Sequence, residues 1–290
     1  MLTSLIVLFA FMFWEKKYAR EPMIRFQIFH NWTLKSTYIQ TVLHALIFWA
    51  AFYYLPLYYQ VVKEYSIIIS GVAMLPETLV VSPMTIIIGI LISGPRGQYR
   101  WAVYGGWFFT CLGAGLLILL DVHTSIAVFV IINVVACLGI GTLIVAMNFA
   151  VQAAVHSKHV GHAVAFYVFL RQFGEGLGVA VGGVVFQNSF RTNLYAMPEW
   201  HNKADWYSKE PVTFIEVLKG LKPGPGRDDL KQAYADALKI VWMAMTGTAF
   251  IGLCLTLLVK SYSMDTVHET EQGWSSDDRS PRPVQQLGGV

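Results

Sequence analysis

The sequence predicts an all-α, polytopic membrane protein: a bundle of six full transmembrane helices preceded by one partial helix. Three observations predict it. The 290-residue chain is 55% hydrophobic and only 13% charged, with a mean hydropathy of +0.51, whereas a soluble domain carries about 25% charged residues. Six apolar runs are long enough to cross a bilayer, which takes about 20 helical residues at ~1.5 Å each. The connections between them alternate between basic and non-basic, the pattern that orients membrane helices.

The chain opens on Met1–Trp14, which reaches only ~21 Å as a helix. It has no basic start and no small-residue cleavage site, so it fits a signal peptide poorly. It reads as the tail end of a span that begins before this sequence. Residues 15–37 form a basic connection with Lys16, Lys17, Arg20, Arg25 and Lys35. Five runs follow across residues 38–188: Tyr38–Val62, Ile67–Ser93, Trp101–Leu120, Thr124–Val155 and His162–Asn188. Residues 189–237 read as a long extracytoplasmic loop, residues 238–260 as the last span (Ile240–Val259), and 261–290 as a polar, disordered cytoplasmic tail.

Arg96 with Arg100, and then Lys158, mark further basic connections, while "DVHTS" has no Lys or Arg. The first, third and fifth connections therefore face the cytoplasm. The Phe190–Lys239 loop carries eight basic residues, but long loops translocate largely regardless of charge. Within it, "KPGPGRDD" reads as a turn after which Asp228 or Asp229 caps a helix. The sequon at Asn31 falls on the cytoplasmic side, where it goes unused.

The net charge of +3 gives no reason to expect nucleic acid as a partner. Cys111, Cys137 and Cys254 lie in apolar runs and read as small core residues, with no disulfide and no metal site. His156, His159 and His162 fall at steps of three, whereas zinc helices prefer pairs at i, i+4 beside a carboxylate, and no second histidine cluster exists. No nucleophile elbow or phosphate loop is present. We therefore expect no catalytic residues, no cofactor and no enzyme.

The polar residues inside the runs are the candidate site. Gly174, Gly178 and Gly182 stack on one helix face, where a neighbouring backbone can approach closely. Arg171 and Glu175 share a face four residues apart. A charge at bilayer depth costs about 2.5–3.5 kcal/mol on insertion scales. Two readings stand for the pair: snorkelling towards the headgroups with mutual pairing, or the lining of a polar cavity for substrate or protons. Glu77 follows Pro76 inside the second run with no cation near it in sequence, so it reads as protonated, cavity-facing or close to the outer interface. His44, Asn133, Asn148 and Gln152 are further candidates, or helix–helix hydrogen-bond partners.

Three phrases carry a resemblance: "FYYLPLYYQVVKEYSIIISGVAMLP" (Phe52–Pro76), "QAAVHSKHVGHA" (Gln152–Ala163) and "RQFGEGLGVAVGGVVFQN" (Arg171–Asn188). Together they resemble the C-terminal half of fungal fourteen-span drug:proton antiporters of the major facilitator superfamily, over nearly the whole chain up to about Ser263. The resemblance implies proton-coupled export of small hydrophobic molecules such as drugs, toxins or secondary metabolites. It also implies half of a major facilitator fold, residence in the plasma membrane or the vacuolar membrane, and a missing N-terminal half as partner beside the lipid bilayer. It marks Arg171 and Gln172, where relatives also show "RQ", as a structurally or functionally important pair. Glu175 departs from the small or polar residue usual there, and "HSKHVG" from the usual "PPEDVG". A seven-span receptor-like protein is the alternative. It shares the topology, but its first span would be too short.

Overall fold

Asn31 starts the first long helix. Its side chain accepts from the Leu34 N–H at 2.8 Å, an N-cap, and donates to the Ala154 carbonyl at 2.7 Å. The computed structural model describes residues 31–94, 98–209 and 213–262, together with Trp14, Lys17 and Phe29. The partial span expected at 1–14, the basic connection before Asn31 and the tail expected at 261–290 lie almost wholly outside the described residues.

Helix α1 spans Trp32–Leu57 and runs into a π-helical turn, Tyr58–Val62. Pro56 stands inside it and takes one N–H out of the ladder. After Lys63 the chain reverses at Glu64, whose φ of 56° is left-handed. Helix α2, Ile67–Ala73, begins on a Ser66 cap and breaks at Met74, two residues before Pro76. Helix α3 is Leu75–Ser93, α4 is Arg100–Leu117 and α5 is Ile126–Ala153. Helix α6, Val160–Tyr195, has 36 residues and is therefore ~54 Å long, well over the ~30 Å of a bilayer core. Two short helices, α7 (Ala204–Lys209) and α8 (Thr213–Gly220), precede α9, Pro225–Leu255.

The described residues contain helices and no strand, as the sequence predicts. Five helical segments are long and apolar enough to cross a membrane: Trp32–Val62, Ile67–Ser93, Ile126–Ala153, Val160–Tyr195 and Pro225–Leu258. Helix α4 packs among them, but Arg100, four glycines and two tryptophans lower its hydropathy. Helix α9 begins differently from expectation. Pro225 occupies its first turn, which suits a missing N–H, so Asp228 lies inside that turn and pairs with Lys231 at 2.7 Å instead of capping.

Helix α1 lies along α6, α5 along both α4 and α3, and α9 against α4 and α6. Small residues set the close approaches: Gly113 meets Ala136, Gly139 meets Thr110, and Gly252 receives the face of Trp107. Burial is uneven. In α1 and α5, 56% of the most apolar window is buried, against 17% in α2–α3 and in α6. Ile68, Leu79, Ile90, Phe169, Phe173 and Val184 stand exposed on those two elements.

The two ends of the bundle are tied by different bonds. At the Trp32 end, the Tyr99 hydroxyl donates to the Lys260 carbonyl at 2.7 Å and the Lys260 N–H donates to Thr33 Oγ1 at 3.0 Å. At the Lys63 end, Lys63 Nζ donates to the Val122 and Thr124 carbonyls, Glu64 pairs with Arg227 at 2.7 Å, and Asp121 pairs with Lys239 at 3.2 Å. Beyond that end the overhang of α6 and the start of α9 close over α8 through Phe190, Phe214 and Tyr234, all fully buried.

Candidate functional site

The polar residues of the membrane region gather in two centres, ~22 Å apart along α1 at ~1.5 Å per residue. The first centre begins on α1. Thr33, Ser36, Thr37, Gln40, Thr41 and His44 are all buried and recur at the three- and four-residue steps that make one helix face. They are linked. Ser36 donates to the Leu255 carbonyl at 2.8 Å, Gln40 Nε2 to Ser36 Oγ at 2.8 Å, and Trp107 Nε1 to Gln40 Oε1 at 2.6 Å. His44 stacks edge-on against Trp107, with ring centroids 6.3 Å apart, and its Nε2 has no partner.

Across the α1–α6 seam sit Arg171 and Glu175. Arg171 Nε donates to Glu175 Oε1 at 3.3 Å, with 20% and 13% of the two side chains exposed. Arg171 is close enough to His44 and Tyr167 to act on both, and Tyr167 donates to the Ile144 carbonyl at 2.9 Å. The seam is this tight because of the glycines. A β-carbon at Gly174 would stand 2.6 Å from the Val42 carbonyl oxygen and one at Gly182 2.5 Å from the Tyr54 ring, while Gly178 backs onto the Leu46 carbonyl.

The second centre lies towards the Lys63 end. Glu77, in the first turn of α3, is 6% exposed and its Oε1 is unpartnered. Tyr59 and Cys137 lie within electrostatic reach of it. Asn133 Nδ2 donates to the Tyr59 hydroxyl at 2.6 Å, and its own Oδ1 is unpartnered.

Of the residues singled out in the sequence, the structure brings together His44, Arg171, Glu175 and the glycine ladder. Glu77 and Asn133 belong to the other centre. Gln172 is exposed. Asn148 is half-buried and accepts from Gln152 one turn on. Sequence reasoning missed Gln40, Trp107 and Tyr59. The polar stripe of α1 was visible in its spacing, whereas the partners of Gln40 and Asn133 stand 67 and 74 residues away. No group of three or more metal-ligating side chains occurs among the described residues.

Just outside the spans, the charges hold their forms through specific bonds. Burial alone would raise the Asp121 carboxyl, but the Val122 N–H and the Lys239 ammonium outweigh it and hold it below the ordinary value. Burial pushes the Lys63 ammonium down, against the pull of Asp121.

A bundle of long apolar helices with polar residues buried between them is the architecture of an integral, multi-pass membrane protein. The sequence profile of the Major Facilitator Superfamily matches residues 2–179, and the chain belongs to that family. It is 40% identical over 270 residues to the MFS transporter L2 of Phoma sp., covering 93% of this chain and 45% of that protein. The efflux pump dotC of Dothistroma septosporum is 30% identical over 95% of this chain and 47% of its own length. The efflux pump FUS6 of Gibberella moniliformis is 27% identical over 100% of this chain and 51% of its own. The chain thus spans about half the length of the curated relatives it matches. Membership of this family sets the receptor-like alternative aside.

Proposed function

We propose that this chain is the C-terminal half of a membrane exporter that moves small hydrophobic molecules, such as drugs, toxins or secondary metabolites, outwards in exchange for protons. One observation carries the reading. The Arg171–Glu175 pair sits ~16 Å into α6 at ~1.5 Å per residue, partly exposed on a helix whose apolar faces are largely uncovered. A charged pair at that depth is supported by a wet path and poorly tolerated against lipid. The relatives' printed names, a transporter and efflux pumps, support the same class.

The open sides of α2–α3 and α6 are where the other half docks. The chain's share of its relatives' length leaves about another half to cover them, and transporters of this superfamily bind substrate near the midplane between two halves. The basic connections support a cytoplasmic Trp32 end and a cytoplasmic tail. We place the protein in the plasma membrane, with the vacuolar membrane as the alternative.

The test is complementation. The chain is expressed alone and together with the N-terminal half of the Phoma relative, and efflux of a hydrophobic fluorescent dye is followed. Export that requires both halves is the expected result. Proton-driven export by the chain alone overturns the half-transporter reading.

A further inference from the structure

The two ends of the bundle answer their positive charges differently. At the Lys63 end carboxylates do it: Arg227 and Lys231 meet Glu64, Lys231 also meets Asp228, and Lys239 meets Asp121 and Asp236. At the Trp32 end the described residues, 31–37, 98–104, 154–162 and 256–262, contain no Asp or Glu. Lys35 on α1, Arg100 on α4 and Lys260 just past α9 are exposed there. Hydrogen bonds hold their three segments at one place. The Lys260 N–H donates to Thr33 Oγ1 at 3.0 Å, the Tyr99 hydroxyl donates to the Lys260 carbonyl at 2.7 Å, and the Tyr262 N–H donates to that hydroxyl at 3.2 Å. Aromatic rings support two of the cations. Lys35 Nζ lies 4.9 Å from the Trp32 ring centre, and the Arg100 guanidinium lies 5.5 Å from the Tyr104 ring while Nη2 donates to its hydroxyl at 3.3 Å. Inward of the cations the surface turns apolar. Trp101, Phe108 and Leu112 are exposed at the spacing of one stripe along α4, and Leu257 and Leu258 are exposed just before Lys260. Like charges gathered without a counter-charge repel one another, so this end has a place for an anion.

We propose that the junction of the α1 start, the α4 start and the α9 end is a binding site for an anionic phospholipid, with the headgroup held by Lys35, Arg100 and Lys260 and the acyl chains laid along the exposed stripe of α4 and the end of α9. The cations alone would suit any small anion. The adjoining apolar surface suits one that carries acyl chains, and Trp32 and Trp101, both exposed, are the side chains that settle at headgroup depth. Basic side chains beside a span recognise anionic headgroups in this way. In the orientation that the basic connections support, this end meets the leaflet where anionic lipids gather. Neither α4 nor α9 is an element whose open side the transporter reading gives to the other half, so a lipid can stay in place in the complete protein. Lipid binding here does not depend on export.

The test titrates the full chain, in phosphatidylcholine nanodiscs, with pyrene-labelled phosphatidylserine and reads energy transfer from tryptophan. Pyrene-labelled phosphatidylcholine is the reference. The expected result is half-saturation at a lower mole fraction for phosphatidylserine. Lys35→Gln, Arg100→Gln and Lys260→Gln should each raise that mole fraction about fivefold, the usual share of one basic side chain at an anionic surface, and the triple variant should abolish the preference. Lys203→Gln, an exposed cation at the opposite end, should change nothing. The three side chains are exposed and the bonds of Lys260 are made by its backbone, so glutamine leaves the junction intact. Thermal unfolding in detergent gives a second reading: phosphatidylserine should raise the unfolding temperature of the wild type and leave that of the triple variant unmoved. Equal binding of the two lipids overturns the proposal. So does a preference that survives the triple variant, or one that Lys203→Gln lowers as much, since the attraction would then be spread over the whole surface. Displacement of the lipid by millimolar inorganic phosphate at matched ionic strength also overturns it, because the site would then take a free anion. None of these readings involves transport, so failure of the exporter reading leaves them unchanged.

Discussion

Gly174 backs onto Val42 so closely that a β-carbon on it would stand 2.6 Å from the Val42 carbonyl oxygen and 2.9 Å from the Ala45 methyl. Neither neighbour is the end of a flexible side chain, so the helices themselves must separate. Overpacking of this kind costs about 1–3 kcal/mol, occasionally more. Gly174→Val is expected to lower the thermal unfolding temperature in detergent and to reduce monodisperse protein on a sizing column. Gly176 has nothing within 4 Å of its β-carbon position. Gly176→Ala should be neutral or gain up to about 1 kcal/mol from helix propensity.

Trp107 and Gln40 satisfy each other in a fully buried place, at 2.6 Å. Trp107→Phe leaves the Gln40 oxygen without its donor, and Gln40→Leu strands the indole N–H. Each single change is expected to cost about 1–3 kcal/mol, the usual penalty for a buried unsatisfied group, and the double change less than the sum. Thermal unfolding of the four proteins measures the coupling.

The Asp121–Lys239 tie should fail in acid. Asp121 is held below its ordinary 3.8 in the folded chain by the Val122 N–H and Lys239, acting against burial. A carboxyl depressed by folding contributes stability that is fully present above its unfolded value and is lost as pH falls through the folded one. Asp121→Asn should therefore flatten the acid side of the stability profile. The effect is small, because 39% of the Asp121 side chain is exposed and water screens the pair. Unfolding temperature against pH, wild type beside variant, is the measurement.

Arg171→Ala in a transporter completed with its other half is expected to abolish export while membrane abundance stays unchanged. Arg171→Lys should restore only part of it, since an ammonium is a point charge and lacks the planar fork that binds Glu175 through Nε. Dye efflux normalised to an immunoblot decides. Full export in Arg171→Ala would leave the pair as a snorkelling contact.

Much of this architecture was legible from composition and spacing. Apolar runs, alternating charges and a glycine every four residues in α6 are local patterns, and the helices follow them. What escaped was pairing across the chain. Glu77 was visible as a carboxyl after a proline, but Tyr59 and Cys137, within its electrostatic reach, come from two other elements. Asn133 looked like one more helix–helix polar residue until its oxygen proved unpartnered. Gln172 was chosen by resemblance and stands exposed beside the seam. Asp228 looked like a cap because it follows a turn, yet Pro225 had already started the helix three residues earlier. Lys63 and Glu64, side by side in the "VKEYS" connection, fasten two distant segments, the α4–α5 connection and the start of α9.

The unlike fastenings at the two ends make the surrounding electrolyte a second input to this bundle. The Lys63 rim is held largely by partly exposed ionic pairs, which salt weakens over a Debye length of about 8 Å at physiological strength. The Trp32 rim is held by neutral hydroxyl, amide and carbonyl groups that ions scarcely affect. Brine loosens one mouth and leaves the other laced. If the chain works as half of the exporter proposed above, the bathing medium tilts the balance between its two openings before any cargo arrives.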